Sequence, residues 1–203
     1  MKVALIGASG RVGSRIAAEL LKRGHTVTEI ARNPGKMAPR PGLILREGDA
    51  TQPATLAPLI AGHDAVVSAS RFQTSDANAL INAVKRSGVK RLLVVGGAGS
   101  LEVAPGKALV DSPGFPDAYK AEATAGVKFL DVLRKERDLD WTFLSPSAEF
   151  APGERTGKFR LGGDQMLVDA KGKSWISMED FAIAFVDEVE HPKHSRQRFT
   201  VGY

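Results

Sequence analysis

Apolar residues in this chain fall into short runs that alternate with stretches of helical spacing. Runs at residues 3–6, 25–31, 43–45, 64–69, 91–95 and 141–144 predict six strands, and the continuous run at 64–69 has the pattern of a strand buried on both faces. Between them, Val12, Ile16, Leu20 and Leu21 recur on one helical face, with Lys22 and Arg23 in the last turn and Gly24 as the stop. Residues 53–61 predict a second helix, with Pro53 in its first turn and Gly62 just past its end. Asp76 is a capping residue for a third, whose face is Ala77, Leu80, Ile81 and Val84 and whose end is Gly88. Residues 117 to about 138 predict a fourth. Strands alternating with helices in this way imply an α/β fold, a parallel doubly wound sheet with helices on both faces.

Two stretches depart from the alternation. Residues 96–116 form a Gly/Pro-rich loop too long for a plain connector, and such loops in compact domains are usually functional. After Ser145, residues 158–161 and 165–168 flank Gly162-Gly163-Asp164, a hairpin-like signal that a longer loop also fits. Ser177-Met178-Glu179-Asp180 resembles a capping box with aspartate in the usual glutamate place, followed by a helix burying Phe181, Phe185 and Val189 and by a closing strand at 198–203. Residues 145–176 therefore read as a small C-terminal lid or substrate-binding segment within one domain spanning 1–203.

Composition narrows the function classes. The 203 residues are 43% hydrophobic and 25% charged, ordinary for a globular protein, and no apolar run approaches the ~20 residues of a membrane span. No basic start precedes a signal-type core, and the chain has no cysteine, so a cytoplasmic protein without disulfides or thiolate chemistry is expected, as monomer or homodimer. The net charge of +5 comes from 28 basic residues dispersed among 23 acidic ones, which argues against nucleic acid as partner. Lys193, His194, Arg196 and Arg198 make the densest basic group and read as a solvated face. His191 and His194 are separated by Pro192, which spoils a helical metal pair, so no metal site is expected.

The chemistry is concentrated at Lys2-Val3-Ala4-Leu5-Ile6-Gly7-Ala8-Ser9-Gly10-Arg11-Val12-Gly13. A strand here runs into glycines spaced G-x-x-G-x-x-G and then a helix, the arrangement a dinucleotide pyrophosphate requires. Gly7 permits the tight turn, Gly10 the approach of backbone to phosphate, and Gly13 the close packing of helix on strand. Unpaired amides of the first helical turn and the positive end of its dipole then face the phosphates. The extra residue in the spacing resembles the extended and atypical short-chain dehydrogenases/reductases, in particular the NmrA-like, flavin-reductase-like and biliverdin reductase B-like branch. Val94-Val95-Gly96-Gly97-Ala98-Gly99-Ser100-Leu101-Glu102 and Arg160-Leu161-Gly162-Gly163-Asp164 are similar to a bacterial subgroup described as NADH–flavin reductases. The resemblance implies a Rossmann fold using NAD(P)H.

Position decides the expected form of the cofactor. An NAD site ends its second strand with a carboxylate on the ribose hydroxyls; here the terminus reads Ile30-Ala31-Arg32-Asn33. A guanidinium grips a 2′-phosphate bidentately, so Arg32, with Asn33, predicts NADP(H), while Glu29 is the rival that favours NAD(H) but lies too early in the strand. Asp49 with Ala50 resembles the family's adenine contact, and a loop or capping role fits Asp49 equally. Ser68, Ala69 and Ser70 end the fourth strand beside the expected nicotinamide ribose. Gly96 and Gly97 end the fifth, where they leave space for the nicotinamide ring or form a plain loop start.

Catalytic residues are less evident. The Tyr-x-x-x-Lys pair of typical short-chain dehydrogenases puts phenol and ammonium on one helix face; here Tyr119 and Lys120 are adjacent, about 100° apart on a helix. Lys120 is a candidate ribose-binding lysine, as in NmrA-like relatives, or a solvated one. Tyr119 is a candidate pocket residue and Ser100 a candidate hydrogen-bond donor, each with an ordinary packing or turn role as the alternative. Hydride transfer to a planar conjugated small molecule, flavin or quinone, is the chemistry that needs least from such a site. The alternatives are a non-catalytic NADP(H)-binding sensor of NmrA type and an epimerase-like enzyme, the latter disfavoured by the missing dyad.

Overall fold

The computed structural model describes residues 1–34 and 40–203. In chain order the elements are β1 (Lys2–Ile6), α1 (Gly13–Lys22), β2 (Thr26–Ala31), β3 (Leu43–Glu47), α2 (Pro53–Ile60), β4 (Ala65–Ser68), α3 (Ala77–Ser87) and β5 (Arg91–Val95). They continue through β6 (Glu102–Ala104), β7 (Lys107–Ala108), α4 (Asp117–Lys135), β8 (Asp140–Pro146), β9 (Glu149–Ala151), β10 (Arg160–Gly162), β11 (Trp175–Ser177), α5 (Met178–Glu190) and β12 (Gln197–Gly202). Eight strands form one sheet in the order β10-β12-β8-β5-β4-β1-β2-β3. All neighbours are parallel except the short edge strand β10, which runs antiparallel to β12. This is the Rossmann-type sheet the alternation predicts, and its strand order reverses between β1 and β4.

The central strands β4 and β5 are buried along their whole length because helices cover both faces. On one face Val3, Leu5 and Val67 pack against Ile16 and Leu20 of α1 and Phe181 and Phe185 of α5. On the other, Ala4, Ile6, Val66 and Leu92 pack against Leu56 of α2, Leu80 and Val84 of α3 and Leu130 of α4. Helix ends are set by short polar side chains. The Asp76 carboxylate accepts the Asn78 and Ala79 amides at 2.8 and 3.1 Å, and Gly88 closes α3 in the left-handed region at φ 80°. Ser177 Oγ accepts the Asp180 amide at 3.0 Å, half of the expected capping box. The Asp180 carboxylate instead accepts from Thr156 Oγ1, the Gly157 amide and the Tyr203 hydroxyl.

Three expectations need correction. The fourth helix ends at Lys135, three residues before 138, because the Glu136 carboxylate accepts the Asp138 and Leu139 amides and reverses the chain. The hairpin across Gly162-Gly163-Asp164 does not form. β10 pairs with β12, while the following residues run beside β6, with the Glu102 amide donating to Asp164 O and the Met166 amide to Glu102 O, both at 2.9 Å. The basic group near residue 198 is only partly a solvated face. The Arg198 side chain is 2% exposed, and His194 stacks on Phe199 with ring centroids 3.9 Å apart while its Nδ1 lies 2.8 Å from Glu188.

Candidate functional site

The loops after β1 and β4 meet where the sheet order reverses, the crevice in which ligands of this architecture sit. Gly7 turns the chain at φ +87°, and a Cβ there would lie 2.8 Å from the Ala69 carbonyl oxygen and 3.1 Å from the Ser70 nitrogen. At Gly13 a Cβ would lie 2.1 Å from the Gly7 oxygen, so the helix start rests directly on the strand end. Gly10 differs: within 4 Å its Cβ would meet only the Gly7 oxygen, at 3.2 Å, and the position is exposed. Ser9 and Arg11 beside it are exposed as well, and Val12, half-buried, precedes α1 with no side-chain cap on the helix. Among the described residues nothing accepts from the amides of Arg11, Val12 and Gly13. An open glycine in front of uncapped helix amides is a cradle that fits a pyrophosphate.

The chain leaves β2 at Ala31. Arg32 and Asn33 are exposed there, and Arg32 is close enough to Asp49 to help hold its carboxyl below the ordinary value. The larger cause of that lowering is Thr51, whose amide and hydroxyl both donate to Asp49 Oδ1, at 2.8 and 2.7 Å. Asp49 thus braces the turn leading to α2, with Ala50 half-buried beside it. Glu29, the rival determinant, is 0% exposed within β2, and neither of its carboxylate oxygens has a partner among the described residues. Burial pushes its carboxyl above the ordinary value.

From Arg11 a cleft of about 1010 Å³ extends over the C-terminal ends of β5 and β8. One wall is the loop after β5 with α4, including Ser100, Phe115 and Tyr119; the other is residues 146–151 with Met166 and 172–174. Ser68 is buried at the end of β4, and Ala69 and Ser70 follow half-buried. Tyr119 lines the cleft but is 67% exposed, and Lys120 is exposed and outside the lining, so the two are not brought together at the cleft. Gly96 and Gly97 line it too, yet the space beside Gly96 is filled by protein: a Cβ there would lie 2.4 Å from the Phe143 ring and 2.7 Å from the Leu144 oxygen. Gly96 is small to admit Phe143, while a Cβ at Gly97 would meet only Phe72 Cε2, at an ordinary 3.7 Å.

Ser100 is held from behind. Arg198 Nη1 donates to Ser100 Oγ at 3.3 Å and Nη2 to Ser100 O at 3.2 Å, while Nε reaches Asp164 at 2.8 Å. Burial lowers the Arg198 guanidinium from its ordinary value, and the Asp164 carboxylate pulls the other way. This tie had no local signal in the sequence, and neither did the Glu122 carboxylate that accepts the Phe72 and Gln73 amides. Among the described residues no group of three metal-ligating side chains occurs, and no helix is long and apolar enough to cross a membrane.

A family model described as NAD(P)H-binding matches residues 7–192. Three solved structures resemble the chain over its whole length. A candidate exported protein of Burkholderia pseudomallei is 50% identical, with TM-score 0.91 and 100% of each chain covered. A candidate epimerase of Bacteroides thetaiotaomicron is 44% identical, with TM-score 0.95, covering 100% of this chain and 96% of that one. A candidate NADH–flavin reductase of Streptococcus pneumoniae is 34% identical, with TM-score 0.85, covering 100% and 99%.

Proposed function

The chain belongs to the NAD(P)H-binding family, of the atypical short-chain dehydrogenase/reductase kind its glycine spacing resembles, and on that premise we propose an NADPH-preferring reductase of flat conjugated acceptors such as flavins or quinones. The observation that carries this reading is the cleft itself. It opens beside Arg11 of the glycine loop, has Phe72, Phe115 and Phe150 in its lining, and is served by no paired Tyr119–Lys120 donor. The kinship with the Streptococcus pneumoniae protein supports it.

In this reading the amides of Arg11, Val12 and Gly13 hold the pyrophosphate, Arg32 grips the 2′-phosphate, and Asp49 with Ala50 borders the adenine. Buried Glu29 does not reach a ribose hydroxyl. The bound dinucleotide supplies a hydride. The cleft's own work is alignment: its apolar walls exclude water from one ring face and set the acceptor parallel to the donor. The reduced acceptor takes its proton from solvent, so no side chain need supply one. Residues 145–176 are read as the lid wall of a single domain, and the protein as a cytoplasmic monomer or homodimer.

The exposed Tyr119 also favours a second reading, a non-catalytic NADP(H) sensor. Steady-state NADPH oxidation against flavins, quinones and aldehydes, with chromatography of a nucleotide sugar incubated with the protein and oxidised cofactor, separates the possibilities. Turnover of NADPH with flat acceptors alone is expected. Tight NADPH binding with no turnover on any substrate returns the sensor, and conversion of the nucleotide sugar to an epimer, which consumes no NADPH overall, returns the activity suggested for the Bacteroides relative.

A further inference from the structure

Phe72 lies in a single 3₁₀ turn, Phe72–Thr74, that follows the loop after β4. The surrounding sequence is polar, yet this ring is 9% exposed and forms part of the cleft surface. It stacks on Phe143 of β8 with centroids 5.9 Å apart and planes 23° apart, and leans on Phe129 of α4 at 5.3 Å. One glycine makes room for it. A Cβ at Gly126 would lie 2.9 Å from Phe72 Cδ2 and 3.0 Å from Cε2, whereas one at Gly97 would meet Cε2 at an ordinary 3.7 Å. One helical turn before Gly126, the Glu122 carboxylate accepts the Phe72 amide at 2.6 Å and the Gln73 amide at 3.1 Å.

We propose that Phe72 is the specificity-determining floor of the acceptor end and that Glu122 is its positioning residue, an inference that rests on the reductase reading above. The argument is one of rigidity. Helix α4 takes hold of residue 72 twice, by its backbone through Glu122 and by its ring through the gap at Gly126. Charge-assisted bonds to both amides keep the turn from swinging, and Phe143 beneath keeps the ring from sinking. A fixed aromatic surface rewards a conjugated ring that lies against it, because offset stacking needs a flat partner. An aliphatic carbonyl gains no such contact. The site therefore discriminates by the shape of the acceptor, through a residue that does no proton or hydride chemistry.

The test uses the full chain saturated with NADP⁺ and oxidised flavin mononucleotide as the probe, its binding followed by fluorescence quenching. Phe72→Leu, apolar but not flat, is expected to weaken flavin binding about tenfold, while Phe72→Tyr keeps it within about twofold. The NADP⁺ affinity by calorimetry should be unchanged in both. Glu122→Ala should speed hydrogen exchange at the Phe72 and Gln73 amides and weaken flavin binding, and Glu122→Gln should restore part of each. Gly126→Ala, which pushes on the ring while favouring the helix, gives an independent perturbation if Phe72→Leu folds poorly, with the same expected loss. Flavin binding that survives Phe72→Leu or Gly126→Ala intact overturns the specificity role and leaves the reductase reading standing. Faster amide exchange in Glu122→Ala with flavin affinity unmoved overturns the positioning role. A wild-type protein that takes NADP⁺ but no flavin overturns this inference, while the reductase reading then stands or falls by NADPH turnover with quinones.

Discussion

Gly13 and Gly10 look alike in the sequence but stand in opposite surroundings, and alanine at each should separate stability from binding. At Gly13 the added methyl carbon would sit 2.1 Å from the Gly7 oxygen, 2.8 Å from the Gly7 carbonyl carbon and 3.0 Å from the Ala8 Cα. Carbon atoms of this kind keep at least 3.0 Å away, so the shortfall is 3.0 − 2.1 = 0.9 Å, and every neighbour is backbone. Either the strand end or the helix start must move. Overpacking costs about 1–3 kcal/mol, and rigid neighbours put this case near the top; the better helix propensity of alanine returns up to about 1 kcal/mol, leaving about 2 kcal/mol. For a chain of this size that is a fall in Tm of about 4–8 °C. At Gly10 the methyl would press only the Gly7 oxygen, at 3.2 Å, so stability should change by less than about 1 kcal/mol. The same methyl enters the space through which the pyrophosphate must approach, and NADPH affinity should drop about tenfold or more. Thermal unfolding followed by circular dichroism and calorimetric titration of NADPH read the two effects independently. A Gly13→Ala protein as stable as wild type, or a folded Gly10→Ala protein with full affinity, would falsify the assignment of the two roles.

Two other changes probe the adenosine end. Arg32→Ala removes one or two charge-assisted contacts worth about 1.5–3 kcal/mol each, so NADPH affinity should fall about ten- to a hundredfold or more while NADH affinity barely moves. The NADPH loss should shrink at high salt, and equal losses for both dinucleotides would make Arg32 merely structural. Glu29→Gln tests the buried carboxyl through the pH dependence of denaturant unfolding. Its native value lies above the ordinary 4.5, so the folded protein holds a proton that the unfolded chain gives up. Wild-type stability from this group is full below 4.5 and declines as pH rises through the native value. The variant's advantage should therefore grow with pH across that window and stay level above it, and parallel curves for the two proteins would rule the effect out.

The sheet and the glycine cradle were legible because each is written locally. A buried strand, a glycine turn and a helix face all lie within a dozen residues of one another, and Asp76 and Gly88 mark their helix by single-residue chemistry. The cleft is assembled from distant pieces. Gly96 is small because of Phe143, Arg198 is buried because of Ser100 and Asp164, and Phe72 is fixed by a carboxylate 50 positions away. No period or spacing encodes such pairs. A basic cluster near the end of the chain and an isolated aromatic in a polar loop look unremarkable until the sheet brings their partners to them. The 162–164 stretch fits a hairpin or a longer loop for the same reason: what selects the loop is β6, some 60 residues earlier, rather than the next few residues.

Arg198 also bears on how the cleft opens. Its guanidinium joins the loop after β5 to the turn at Asp164, and the Glu102 and Met166 amides stitch the same two segments together. Neither segment can peel away without stripping a buried cation of its counter-charge, so their fluctuations are coupled. In hydrogen exchange they should therefore behave as one cooperative unit with a shared opening energy. Widening the mouth for a bulkier guest thus begins at a strand beneath the cleft rather than at its rim.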